Sequence, residues 1–251
     1  MKNRTTADCS PLSCSGSAYR KDFTMSDKVI LSLVSVVVGW LLGQGTAISR
    51  EYWTSRQLKR GLLEELEDIN SQLQRTAMIC ARHLQVFALR GCDPAVPIPI
   101  HGLFFRQYYK DAMHKLNRQQ RLSFQLIHSS LESLNKQFDD LASAGRACAG
   151  LQGPQYQALL NGAINAWGDV VKAIFFNVRD LQWYVLHHIS NKRAPDLSLL
   201  GSDHATFLLF KEEAQKEVAT ILEDARRLKR EDFEKVYNET AFAKAGKEVT
   251  T

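Results

Sequence analysis

The 251-residue chain sets 32 Lys and Arg against 27 Asp and Glu, a formal charge of +5, and is 45% apolar and 24% charged. With only 6 Pro and 14 Gly, it is neither a disordered nor a collagen-like polymer, and it is long enough for one or two cored domains. The small positive excess comes without a basic stripe interleaved with aromatics, so nucleic acid is not an expected partner.

Residues 1–27 are rich in Ser, Thr and Cys and lack an apolar period. They are expected to form a disordered tail, and Met25 is an alternative start. Residues 28–50 are expected to form a transmembrane helix. Val29 to Ile48 carries no formal charge and matches the ~20 residues needed to cross the hydrocarbon layer. Tyr52 and Trp53 follow, where amphipathic rings favour the headgroup region. A rival reading is a signal peptide cut after Ala47, because Gly45-Thr46-Ala47 supplies small residues. The apolar run is long for that purpose, and its leading flank is barely basic.

Arg50, Arg56, Lys59 and Arg60 follow the run, whereas Arg20, Lys21 and Lys28 precede it. The positive-inside rule therefore sets the body in the cytoplasm, as a single-pass protein with its N-terminus outside. The cysteines agree with a reducing compartment: Cys9, Cys14, Cys80, Cys92 and Cys148 are odd in number and contain no CxxC pair, so they read as free thiols. Within the span, Ser35, Gly39, Gly43 and Ala47 recur every four residues. They form a small-residue face on which a second membrane helix can pack.

Residues 51–236 read as four amphipathic segments. The first steps through Leu62, Leu66, Ile69, Leu73, Ala77, Cys80, Leu84 and Phe87; the second through Phe124, Ile127, Leu131, Leu134, Phe138 and Leu141. The third runs from Tyr156 through Trp167, Ile174 and Val185, and the fourth from Phe207 through Ala214, Val218 and Ala225. Breakers at Gly91–Gly102, Gly145–Pro154 and Ala194–Ser202 separate them. No period-two alternation appears, so the expected class is all-α. Each helix has one stripe to bury, which points to an antiparallel up-down-up-down four-helix bundle, with an elongated coiled-coil hairpin as runner-up. Residues 237–251 are expected to be a flexible tail. That topology would return Arg226 and Arg227 to the layer of Arg56, Lys59 and Arg60, where together with Arg50 they could meet anionic lipid headgroups.

Chemistry is hard to find. No HExxH, P-loop, GxGxxG or GxSxG occurs. Asp111-x-x-His114 is a single weak match to a di-metal bundle motif. His128 and Glu132 read as a surface pair, and His187-His188 as cations near a helix C-terminus. No cofactor or metal is expected, and the chain is not expected to be an enzyme. The apolar stretch Ala95 to Tyr109 is unusual for a loop. Its Ile98, Ile100, Phe104 and Phe105 either cap the core at the end remote from the membrane or dock a partner. The resulting expectation is a membrane-tethered interaction or assembly module, whose partners are the membrane, an unidentified protein or a second copy of the chain. A sensory or ligand-binding bundle is the alternative, and a metal-dependent enzyme ranks below it.

Overall fold

A computed structural model describes residues 25–151, 154–198 and 201–228, without the side chains of 25–29, 47 and 154. The expected tail at 237–251 and residues 1–24 of the expected tail at 1–27 lie outside the described residues, as do residues 229–236, whereas residues 25–27 belong to a helix. Five α-helices are present: α1 (Met25–Ala88), α2 (Leu103–Ala112), α3 (Arg118–Ala149), α4 (Gln157–Ser190) and α5 (His204–Arg227). Short 3-10 turns occupy Met113–Lys115 and Pro154–Tyr156, and no strand occurs among the described residues. The all-α expectation holds.

The chain divides into two compact units, Met1–Trp53 and Thr54–Thr251. In the first, the apolar side chains are bare: Leu33, Val36, Leu42 and Ile48 are each about two-thirds exposed. Among the described residues, α1 is the one helix long and apolar enough to cross a membrane.

The second unit buries its stripes. Leu62, Leu66, Ile69, Leu73, Cys80 and Leu84 of α1 meet Phe124, Ile127, Leu131, Leu134, Phe138 and Leu141 of α3 in one core. Ile164, Trp167, Val171, Ile174, Val178, Leu181 and Val185 of α4 complete it. Each such side chain contributes roughly 1.5–3 kcal/mol of transfer free energy, so the three long helices bind chiefly through this apolar seam.

Helix ends are set by local chemistry. Asn117 and Gln120 form a reciprocal capping box at the start of α3. Their amides also donate to the carbonyls of Arg193 and Lys192, tying that start to the segment after α4. At the end of α1, Arg90 donates to Phe87 and Gly91 to Val86, the two bonds of a Schellman motif. The left-handed position falls on Arg90 (φ 59°) and not on the glycine that follows it. Arg90 reaches Asn165 of α4 at 3.2 Å, and its conformation costs about 1–2 kcal/mol.

The helix directions differ from the expected up-down-up-down order. Ser123 meets His188, and Gln137 meets Asn177, so α3 and α4 are antiparallel. His187–Asp203, Asp180–Lys211 and Arg179–Glu217 make α4 and α5 antiparallel. Glu65 of α1, however, faces His128 near the start of α3, while Asp93 and Pro94, just past α1, lie against Gly145 near the end of α3. Helices α1 and α3 therefore run parallel. The cause is the stretch from Gly91 to Asn117, which is too long for a hairpin loop and travels back along the core before α3 begins.

The same directions separate the two basic groups. Ion pairing with α4 runs α5 away from His187 and towards the start of α4, where Asn165 meets Arg90. Arg226 and Arg227 thus lie at the level of α1's C-terminal end, and the expected shared basic layer with Arg56, Lys59 and Arg60 does not form. Spin labels at Lys59 and Arg226 should report a separation of about 40 Å or more by pulsed electron resonance, since roughly thirty residues of helix rise lie between them. A distance below about 20 Å would restore the up-down order.

Candidate functional site

The returning stretch, here the arm, is built around the start of α2. Its N-cap, Gly102, contributes no side-chain hydrogen bond. The carboxylate of Glu65 on α1 takes that role: Phe104 N–H donates to Oε1 at 2.6 Å and Phe105 N–H to Oε2 at 2.9 Å. A helix N-terminus presents unsatisfied donors and partial positive charge, so an acid from a neighbouring helix is a fitting partner. Burial raises the Glu65 pKa, and the two N–H donors work against that rise.

Three further contacts fix the arm. Asn135 of α3 accepts from Ile100 N–H at 2.9 Å and donates to its carbonyl at 2.7 Å, pairing with the backbone as a strand neighbour would. The Phe105 ring stacks on His128, with centroids 3.6 Å apart. Arg121 donates to the carbonyls of Met113 and Leu116, closing the turn after α2. Gly102 is buried against the His128 ring, where an added Cβ would come within 2.4 Å of Cε1. Its φ of −86° suits any residue, so space and not backbone freedom demands glycine there.

This geometry redistributes the residues singled out from sequence. Residues 103–109 are helix and not loop, and they lie beside Gly61 and Glu65, at the end of the body that the chain enters. That corrects their expected position at the end remote from the membrane. Ile98, Ile100, Phe104 and Phe105 do not form one patch: Ile98 is 75% exposed and Ile100 is core. Phe104 covers Gly61, and Phe105 packs on His128. His128 is buried opposite Glu65 at 3.8 Å, while Glu132 pairs with Arg106, so the expected His128–Glu132 surface pair is replaced. Arg60 binds Glu64, and Arg227 binds Glu223. Ser35, Gly39 and Gly43 are exposed along α1, whereas the side chain of Ala47 lies outside the described residues. Among the described residues, no three His, Cys, Asp or Glu side chains gather to hold a metal.

Sequence reasoning missed the buried histidines. His83, His128 and His188 are each at most 7% exposed. His188 shares a 2.7 Å hydrogen bond with Ser123, while Nε2 of all three has no hydrogen-bond partner among the described residues. His83 lies beside Trp167 and 3.9 Å from Asp93. The available signal was position: each falls within or beside an apolar stripe, where a charged surface residue would not.

Next to Glu65, a cleft of about 420 Å³ opens between α1 and the arm, lined by Gly61, Glu64, Glu65, Asp68, His101 and Phe104, among others. His128 does not line it. Glu65 has both oxygens engaged by N–H donors, so the arrangement positions the arm and does not poise a free base towards the cleft. Comparison with known proteins finds no matching family model, no matching curated sequence and no matching solved structure.

Two outcomes follow. Burial, with Arg106 adding to it, pushes the His128 pKa down to about 4; burial, with His187 adding, does the same for His188. An unfolded histidine titrates near 6.5, so between those values the unfolded chain binds more protons and folding loses stability as pH falls. The loss is on the order of 3 kcal/mol per histidine between pH 7 and pH 4, checked by urea unfolding across that range; His128→Gln should flatten the curve. Glu65→Ala should leave two N–H groups without their acceptor and destabilise by about 2–4 kcal/mol. Hydrogen exchange should rise first at residues 104–112, and equal protection there in mutant and wild type would contradict the capping role.

Proposed function

We propose that the chain is a single-span membrane protein whose helical body acts as a non-enzymatic interaction or assembly module at the cytoplasmic face. One observation carries the membrane part: the bare apolar surface from Ile30 to Ile48. Leaving this many large aliphatic side chains in water forgoes roughly 1.5–3 kcal/mol each, and a lipid bilayer is the environment that a continuous apolar helix of this length fits. Lys and Arg immediately after the run favour a cytoplasmic body. Helix α1 continues through Gly45-Thr46-Ala47 without a break, which supports retention of the span over cleavage there.

The interaction role rests on surface and architecture. Ile98 and Leu103 stand more than two-thirds exposed on the arm, and Leu103 lines a cleft that also carries Glu64, Glu65 and Asp68. That combination suits a partner with apolar and basic side chains. The open face of Ser35, Gly39 and Gly43 offers a route to a second copy within the bilayer.

Alkaline carbonate extraction of membranes tests the anchor. The full chain should remain in the pellet, and the double substitution Val36→Arg and Val37→Arg should release it, because each arginine at a helix centre costs about 2.5–3.5 kcal/mol of insertion. Trypsin added to sealed right-side-out vesicles should leave the body uncut. Release of the wild-type chain by carbonate would end the reading.

A further inference from the structure

Cys92 and Cys148 lie apart in sequence but close in the fold. Cys92 follows directly on the Schellman turn that ends α1, and Cys148 sits in the last turn of α3. Between them, Gly145 lets the arm's backbone approach α3 closely: a Cβ there would be 3.4 Å from the Cα of Pro94. Cys148 lies one helical turn beyond Gly145, and Cys92 lies two residues before Pro94, so the same approach brings the two thiols together. The Cys148 side chain is within hydrogen-bonding reach of Cys92. Both line one cleft of about 260 Å³, with Arg90, Pro94, Leu151 and Ile164 on its walls. Cys92 is half-buried and Cys148 is 5% exposed.

We infer that Cys92 and Cys148 are a reversible dithiol–disulfide pair that staples the origin of the arm to the end of α3. Disulfide formation requires Cα atoms roughly 4.4–6.8 Å apart with converging Cβ vectors, and the pair's neighbouring side chains in one cleft are the observation that points to it. The oxidant is a small disulfide such as glutathione disulfide. The Cys92 thiolate, the more accessible of the two, attacks one of its sulfurs and expels one glutathione thiolate. The Cys148 thiolate then attacks the Cys92 sulfur and expels the second. The protein loses two protons and two electrons, and one glutathione disulfide becomes two glutathione thiols. Burial, together with the neighbouring Cys148, pushes the Cys92 thiol up to about 12. Thiolate is therefore scarce at neutral pH, and closure is slow and accelerates about tenfold per pH unit. Cys80 stands apart as a fully buried thiol, raised to about 12 by burial alone.

The test uses the full chain in detergent micelles with Cys9→Ser and Cys14→Ser, equilibrated in glutathione redox buffers and acid-quenched. Intact mass should show the loss of two hydrogens with no glutathione retained, and non-reducing peptide mapping should join Cys92 to Cys148. The melting temperature should rise by about 5 to 15 °C on closure, because the cross-link constrains the unfolded chain. Cys92→Ser and Cys148→Ser should each abolish that rise. A persistent glutathione adduct, a bridge through Cys80, or no reaction where the urea-unfolded chain reacts would each overturn the inference. The mass readout does not depend on membrane residence, so it fails or succeeds separately from the anchor reading.

Discussion

The capture of α2's first turn by the Glu65 carboxylate is the contact on which the arrangement of the body depends. Without an acceptor for Phe104 and Phe105 N–H, the arm would place bare donors against the core, and buried donors cannot be left unmatched cheaply. With it, α2 starts beside α1 and faces the opening residues of α3. That forces α3 to set out in the same direction as α1. Asn135 holds the middle of the arm by pairing with both backbone groups of Ile100, so polar contacts fix the backbone of a segment whose Ile100, Ala112 and Leu116 are buried in the core.

A polar component runs through an otherwise apolar interior. His83, His128 and His188 are surrounded by Trp167, Phe105 and Phe124, and each is held in its neutral form by the cost of bringing charge into that environment. Two of them face the arm's anchor points, Asp93 and Glu65. The arm is therefore secured at its origin and at the start of α2 next to groups whose protonation the core resists. These three histidines withdraw stability as the pH falls towards their lowered pKa values.

Much of the helical content was legible from residue spacing. The stripes of α1, α3 and α4 were readable because their apolar residues step by three and four over many turns, and every position of the Leu62 to Leu84 series is buried except Ala77, which is half-buried. Direction was not legible. A stripe records that a face is covered, not which way its neighbour runs, and the apolar stretch from Ala95 to Tyr109 gave the same hydrophobic signal for a cap and for a returning segment. Glu65 was hidden for a related reason: one acid at the edge of a stripe is common on any amphipathic helix, and only the backbone of a segment 39 residues later reveals its use. Arg90 is a third case. Gly91 marked the end of α1 correctly, yet the left-handed residue is the arginine before it, because the side chain gains a partner in Asn165.

Helix α5 differs from the others in how it is held. Its buried side chains are few and mostly small, Ala214, Val218 and Ala225 beside Phe207, while Asp203, Lys211 and Glu217 face His187, Asp180 and Arg179 in sequence-reversed order. Phe207 stacks on Trp183 and Tyr184, and along the rest of the helix the small side chains leave much of the alignment to these polar rungs. Such rungs specify a longitudinal setting more than they add cohesion, and they weaken as ionic strength rises. Salt therefore acts on the setting of α5 against α4 more than on the apolar seam of α1, α3 and α4.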